Sequence, residues 1–132
     1  KKIKFQISKY TIKENKALGK KIYLKLKDIS ELNKNDPNSS IINIFINLEM
    51  DKKATTKDSA GKILEYKINI KLNVKIEDAY SNNRILNKDF NKSSTYKIQN
   101  QYSDTINVEN QLTENLINNI YQELLITLSQ NI

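Results

Sequence analysis

The clearest pattern in the chain is a strict alternation from Leu64 to Ile76. Leu64, Tyr66, Ile68, Ile70, Leu72, Val74 and Ile76 take the even positions, and Glu65, Lys67, Asn69, Lys71, Asn73 and Lys75 the odd ones. Successive side chains of a strand point to opposite sheet faces, so the stretch has one apolar face and one wetted face. At about 3.3 Å per residue it spans roughly 43 Å, long for a globular strand. A strand of that length needs neighbours on both sides and helices over its apolar face.

The flanking patterns supply them. Ile3, Phe5 and Ile7 alternate with polar residues, a short first strand with room to run on to Tyr10 or Ile12. Leu18, Ile22, Leu26, Ile29 and Leu32 then fall on one helical face. Ile22, Leu24 and Leu26 would also suit a strand, but the helical spacing persists from Lys16 to Leu32, and length favours the helix. The stretch 33–40, NKNDPNSS, reads as a loop. Ile42, Ile44, Ile46, Leu48 and Met50 alternate again as a second strand. Asp51 to Lys62 reads as a polar hairpin tip in which Gly61 relieves the backbone.

The long strand is expected to run to about Tyr80 and to turn at Ser81-Asn82-Asn83. A fourth, Ile85 to Tyr96, carries Lys88 and Lys92 on the side of Leu86 and Phe90, the mark of a sheet edge. Gln99 to Ser103 reads as a linker, with Asp104 or Thr105 capping a last helix that carries an apolar stripe from Ile106 to Leu128. Asp104 and Glu109 sit near its start, where negative charge suits the helix dipole. The order β-α-β-β-β-α predicts an α+β two-layer sandwich. Its four-stranded sheet is mixed, with an antiparallel meander of three strands and both helices on one face. The chain reads as one domain over 1–132.

Composition narrows the chemistry. The chain has no Cys, His or Trp, which removes thiolate and Ser-His nucleophiles, imidazole acid/base work and Cys/His zinc sites. Glu77 and Asp78 are adjacent on a strand and point to opposite faces, so they make a poor acid/base pair. Asp51 and Asp58 read as solvated partners of neighbouring lysines, and two glycines cannot form a phosphate cradle. The tyrosines do not cluster in sequence, and most read as core or core-edge residues. An enzyme is not expected, nor is a cofactor or metal.

The formal charge of +7 suggests anionic partners, yet 21 of the 22 basic residues are Lys, and the chain is also crowded with Asn and Ile. A codon bias towards A and T yields that composition without a binding surface, and Arg, better at bidentate phosphate contacts, is nearly absent. The charge is uneven: residues 1–27 hold ten Lys and only Glu14, while 99–132 hold four acids and no base. No apolar run approaches the roughly 18 residues of a membrane helix. The chain begins at Lys1 with no initiator Met, as a processed or trimmed chain would. The lysines at 52, 53, 57 and 62 could converge on an anion, or simply hydrate a hairpin tip.

The run ATTKDSAGKILEYKI, Ala54 to Ile68, resembles the hairpin of the LPS-assembly lipoprotein LptE family, in which a polar tip leads into an "EY" and a strand. Ala17-Leu18-Gly19 to Leu32 is similar to that family's first helix, and Asn83-Arg84-Ile85-Leu86 to its turn into the fourth strand. Ser94-Thr95-Tyr96 is similar to that strand's ending, and Tyr102 to Leu128 to the closing helix. The helices depart from the family by carrying Asn, Ile and Leu where Arg and Ala are frequent.

The resemblance implies an outer-membrane lipoprotein on the periplasmic side, anchored through a lipidated N-terminal Cys that this chain does not contain. It implies a plug for the LptD β-barrel, an aid to that barrel's assembly and a binder of lipopolysaccharide. Lys52, Lys53, Lys57 and Lys62 become candidates for its phosphates. The rival reading is a double-stranded-RNA-binding domain, which shares the α-β-β-β-α order. Against it stand a terminal helix without a base and a strand longer than such a module needs; no nucleic acid is expected. A structural subunit of another envelope complex would differ only in its partner.

Overall fold

The computed structural model describes residues 3–132; Lys1 and Lys2, which open the basic N-terminal stretch, lie outside the described residues. The elements are β1 (Phe5–Glu14), α1 (Lys16–Leu32), β2 (Ser40–Lys57), β3 (Ile63–Asp78), β4 (Arg84–Lys97) and α2 (Tyr102–Asn131). The strands form one sheet in the order β1-β2-β3-β4. β1 runs parallel to β2, and β2, β3 and β4 form an antiparallel meander. With α1 over β1 and β2, and α2 over β3 and β4, this is the expected β-α-β-β-β-α mixed sheet with two helices.

The alternation determines which face the helices cover. Ile42, Ile44, Ile46 and Leu48 of β2 lie beside Ile76, Val74 and Leu72 of β3, all buried. Ile22 and Leu26 of α1, and Ile117, Ile120, Leu124 and Leu128 of α2, close the layer from above and are also fully buried. Each such side chain contributes about 1.5–3 kcal/mol of hydrophobic stabilisation, which holds the layers together. Gly19 is what lets α1 lie this low. A Cβ there would stand 2.5 Å from Ile12 Cγ2, so only glycine fits.

The loops are tied by side chains. Asn15 Oδ1 accepts from the Leu18 amide and caps α1. At the other end, buried Asn33 donates to the carbonyls of Phe5 and Ile29, and the Ile7 amide donates to Ser30 Oγ. Between β3 and β4, Asp78 accepts from Ser81 while Asn82 takes φ +60°, a conformation that Asn tolerates.

Several boundaries differ from the sequence expectation. β1 runs on to Glu14, because a bulge between Ile7 and Lys9 shifts its register. Phe5 and Ile7 face the core before the bulge, and the parity of Tyr10 and Ile12 faces it afterwards. β2 does not stop at Met50: Asp51 to Lys57 is strand, and the tip shrinks to Asp58–Lys62. That arm is exposed on both faces, so it has no apolar alternation to read. Leu64, on the core-facing parity, is 42% exposed because the helices do not reach so far along the hairpin.

β3 ends at Asp78 rather than near Tyr80, and α2 begins at Tyr102. Gln101 takes the N-cap position with no side-chain cap bond, so neither Asp104 nor Thr105 caps the helix. Thr105 Oγ1 instead accepts from the Gln99 amide and donates to the Gln101 carbonyl, holding the linker against the first turn. Lys92, on the core-facing parity of the edge strand β4, bends up to Glu123 of α2 at 2.7 Å.

Candidate functional site

The hairpin is where the sequence places its candidate lysines, and the sheet's pleat divides them. Lys52 pairs with Ile68 on the helical face, whereas Lys53 pairs with Lys67 on the open face. Lys57 closes β2 opposite Ile63, and Lys62 lies beyond the turn. Asp58 shapes that turn: its Oδ1 accepts from the amides of Ala60 and Lys62, and Gly61 takes φ +84°. Asp58 is therefore a turn residue rather than an ion partner. Asp51 meets Lys53 at 3.6 Å, both strongly exposed.

Lys52 is engaged within the protein. Its Nζ donates to Glu109 Oε2 at 3.0 Å and lies 4.4 Å from the centre of the Tyr66 ring. The Tyr96 hydroxyl donates to the same oxygen at 2.7 Å, and Tyr66 and Tyr96 stack at 5.9 Å. Burial alone would raise the Glu109 carboxyl, but the bonds from Tyr96 and Lys52 outweigh it and hold it below the usual range. Burial would lower the Lys52 ammonium, yet Glu109 and Tyr96 raise it above the ordinary lysine value. The Tyr96 phenol is raised by burial and by its bond to Glu109. The cluster fastens the first turns of α2 to the root of the hairpin.

Lys53, Lys57 and Lys62 are exposed. The open face brings Lys67 directly opposite Lys53, two like charges side by side that an anion would relieve. Lys67 belongs to the polar parity of the long strand, and the register adds it to Lys53. A shallow cavity of about 790 Å³ lies on this face where β1 stops, lined by Glu14, Glu49, Asp51, Lys53, Lys67 and Lys71 among others. Further along the same face, Asn47 and Asn73 line two smaller hollows. The surface presents polar and charged groups to solvent. Among the described residues, no group of three or more carboxylates could hold a metal ion.

No protein-family model and no curated protein matches the sequence. Solved structures do match in fold. The rare lipoprotein B from Shewanella oneidensis superposes with a TM-score of 0.65 at 13% identity, over 95% of this chain and 94% of that one. A putative lipoprotein from Caulobacter crescentus gives 0.62 at 10% identity, over 94% and 88%. Lipoprotein B from Nitrosomonas europaea gives 0.61 at 13%, over 93% and 81%. At these identities the likeness establishes a shared fold. Among the described residues, no helix is long and apolar enough to cross a membrane, which says nothing of barrel-type spans.

Proposed function

We propose that this chain is a non-enzymatic component of lipopolysaccharide assembly at the outer membrane, of the LptE kind. In this reading it works on the periplasmic side, tethered through a lipidated residue upstream of Lys1. It plugs and helps assemble an LptD-like β-barrel and handles lipopolysaccharide on its way outward. The observation that carries the reading is the nearly end-to-end superposition on rare lipoprotein B, a lipoprotein by its name. The hairpin resemblance from Ala54 to Ile68 supports it from the sequence side.

The open face suits such a role, because its Asn, Lys and Thr side chains can meet a polar lumen without burying bare apolar surface. Lys57 and Lys62, and Lys53 beside its exposed partner Asp51, are placed to meet lipid phosphates, while Lys52 contributes by holding the hairpin to α2. The test is co-purification of the full-length precursor, expressed with its native leader, from detergent-solubilised outer membranes. Recovery with a large β-barrel protein is the expected result. A soluble cytosolic protein that retains nucleic acid, with affinity collapsing as salt rises, would overturn the reading and favour the RNA-binding alternative.

A further inference from the structure

The sheet has an unpaired edge in its middle, and the hydrogen-bond phase of β2 identifies the groups that line it. The Asn15 amide donates to the Leu48 carbonyl, and the Ser40 amide to the Lys4 carbonyl. Even-numbered residues of β2 thus turn their backbone groups towards β1. The Ala79 amide donates to the Ile41 carbonyl, so odd-numbered residues turn towards β3. β1 ends opposite Leu48, where Glu14 takes φ +68° and the chain swings away into α1. Beyond that step, Met50, Lys52 and Ala54 point their N–H and C=O groups outward, with no strand beside them among the described residues. The bulge after Ala54 ends the regular row.

Three such residues, repeating every second position at about 6.8 Å, match the backbone of another extended polypeptide. The cavity at the step adjoins this edge on the open face. Along the open face of β2 itself the charges run Glu49, Asp51, Lys53 towards the tip, with Asp51 and Lys53 3.6 Å apart; on β3 behind them Lys71 lies beside Glu49 and Lys67 beside Lys53.

We propose that β2 from Met50 to Ala54 docks an extended segment of a partner polypeptide in the column that β1 vacates. The segment bonds to the outward backbone groups of Met50, Lys52 and Ala54. Its open-face side chains place a carboxylate against Lys53 and cations against Asp51 and Glu49. Antiparallel addition, the more stable pairing, makes the acid N-terminal to the cations. The inference stands on the edge itself and does not rest on the envelope reading.

The probe is the peptide acetyl-Thr-Glu-Thr-Lys-Val-Lys-amide, with a control in which Glu and Lys are exchanged. Amide hydrogen exchange of the whole chain is followed by NMR at millimolar peptide. The Met50, Lys52 and Ala54 amides are expected to slow about tenfold once peptide exceeds its dissociation constant by about that factor. The amides of Glu49, Asp51 and Lys53, already turned to β3, should not change. Ala54→Pro should abolish the response while sparing the β2–β3 ladder, because the Ala54 N–H points outward.

No slowing with either peptide would overturn the docking edge, and an equal response to both would overturn the charge order. An unchanged response in Ala54→Pro would also overturn the proposal. Concentration-dependent protection of the same amides without peptide, with a mass twice 15.4 kDa in sedimentation, would assign the edge to a second copy instead.

Discussion

Gly19 and Glu109 each carry more than their size suggests. Gly19→Ala drives a methyl into Ile12 Cγ2, on a branched side chain that cannot swing its inner methyl aside. The expected cost is about 1–3 kcal/mol in urea unfolding. Ile12→Ala should recover part of it in a double-mutant cycle, and strict additivity would rule the contact out. Glu109 is held below its ordinary value, so the stability it lends is full above the unfolded-state value and fades as pH falls through the folded one. Lys52 is raised, so its contribution is full below the ordinary lysine range and fades as pH climbs through the folded value. Glu109→Gln should therefore cost about 1–2 kcal/mol at neutral pH and flatten the acid limb of a stability–pH curve.

Among elements, the hairpin and α2 behave differently. The hairpin's outer part, from Lys53 to Lys62, is exposed throughout, and among the described residues no helix shields it. It should open locally without unfolding the sheet. Gly61→Ala strains a left-handed position by about 1–2 kcal/mol, with nothing near its Cβ to clash. Exchange should accelerate for amides of Thr56 to Glu65 and stay constant at Ile44 and Ile70; uniform acceleration would show that the tip is coupled to the core. α2 is bound by its apolar stripe, with Leu124 at its centre fully buried. Leu124→Ala should cost about 2–5 kcal/mol in thermal or urea unfolding.

Across the whole molecule, the acids of α2 are met by lysines of other elements. Lys21 of α1 meets Glu114, Lys52 of β2 meets Glu109, and Lys92 of β4 meets Glu123, so three acids of α2 face lysines of three other elements. These bridges are largely exposed, and moderate salt should change stability by less than about 1 kcal/mol. Lys53, Lys57 and Lys62 of the hairpin take no part in these three bridges. Lys53, Lys57 and Lys62 replaced together by Ala should weaken capture on immobilised lipopolysaccharide without altering thermal stability. Lys52→Ala should do the reverse, and unchanged capture when all four lysines are replaced would remove the hairpin from lipopolysaccharide handling.

The elements legible from the residues alone are those whose side chains meet two unlike environments. The alternation of β3, the helical spacing of Leu18 to Ile29 and the stripe of α2 each record one buried and one wetted side, and the order β-α-β-β-β-α follows from them; Leu32, on the same spacing, is 86% exposed at the helix end. The sequence marked the bulge of β1 only as a change of parity between Ile7 and Tyr10. Where both faces are wet, as from Asp51 to Lys57, no period survives, and the strand showed itself only through its pairing with β3. Tertiary structure alone decided that Lys52 turns inward to Glu109, 57 residues away, while Lys53 faces Lys67. It likewise decided that β1 stops opposite Leu48, because register and strand ends are set by how distant segments pack.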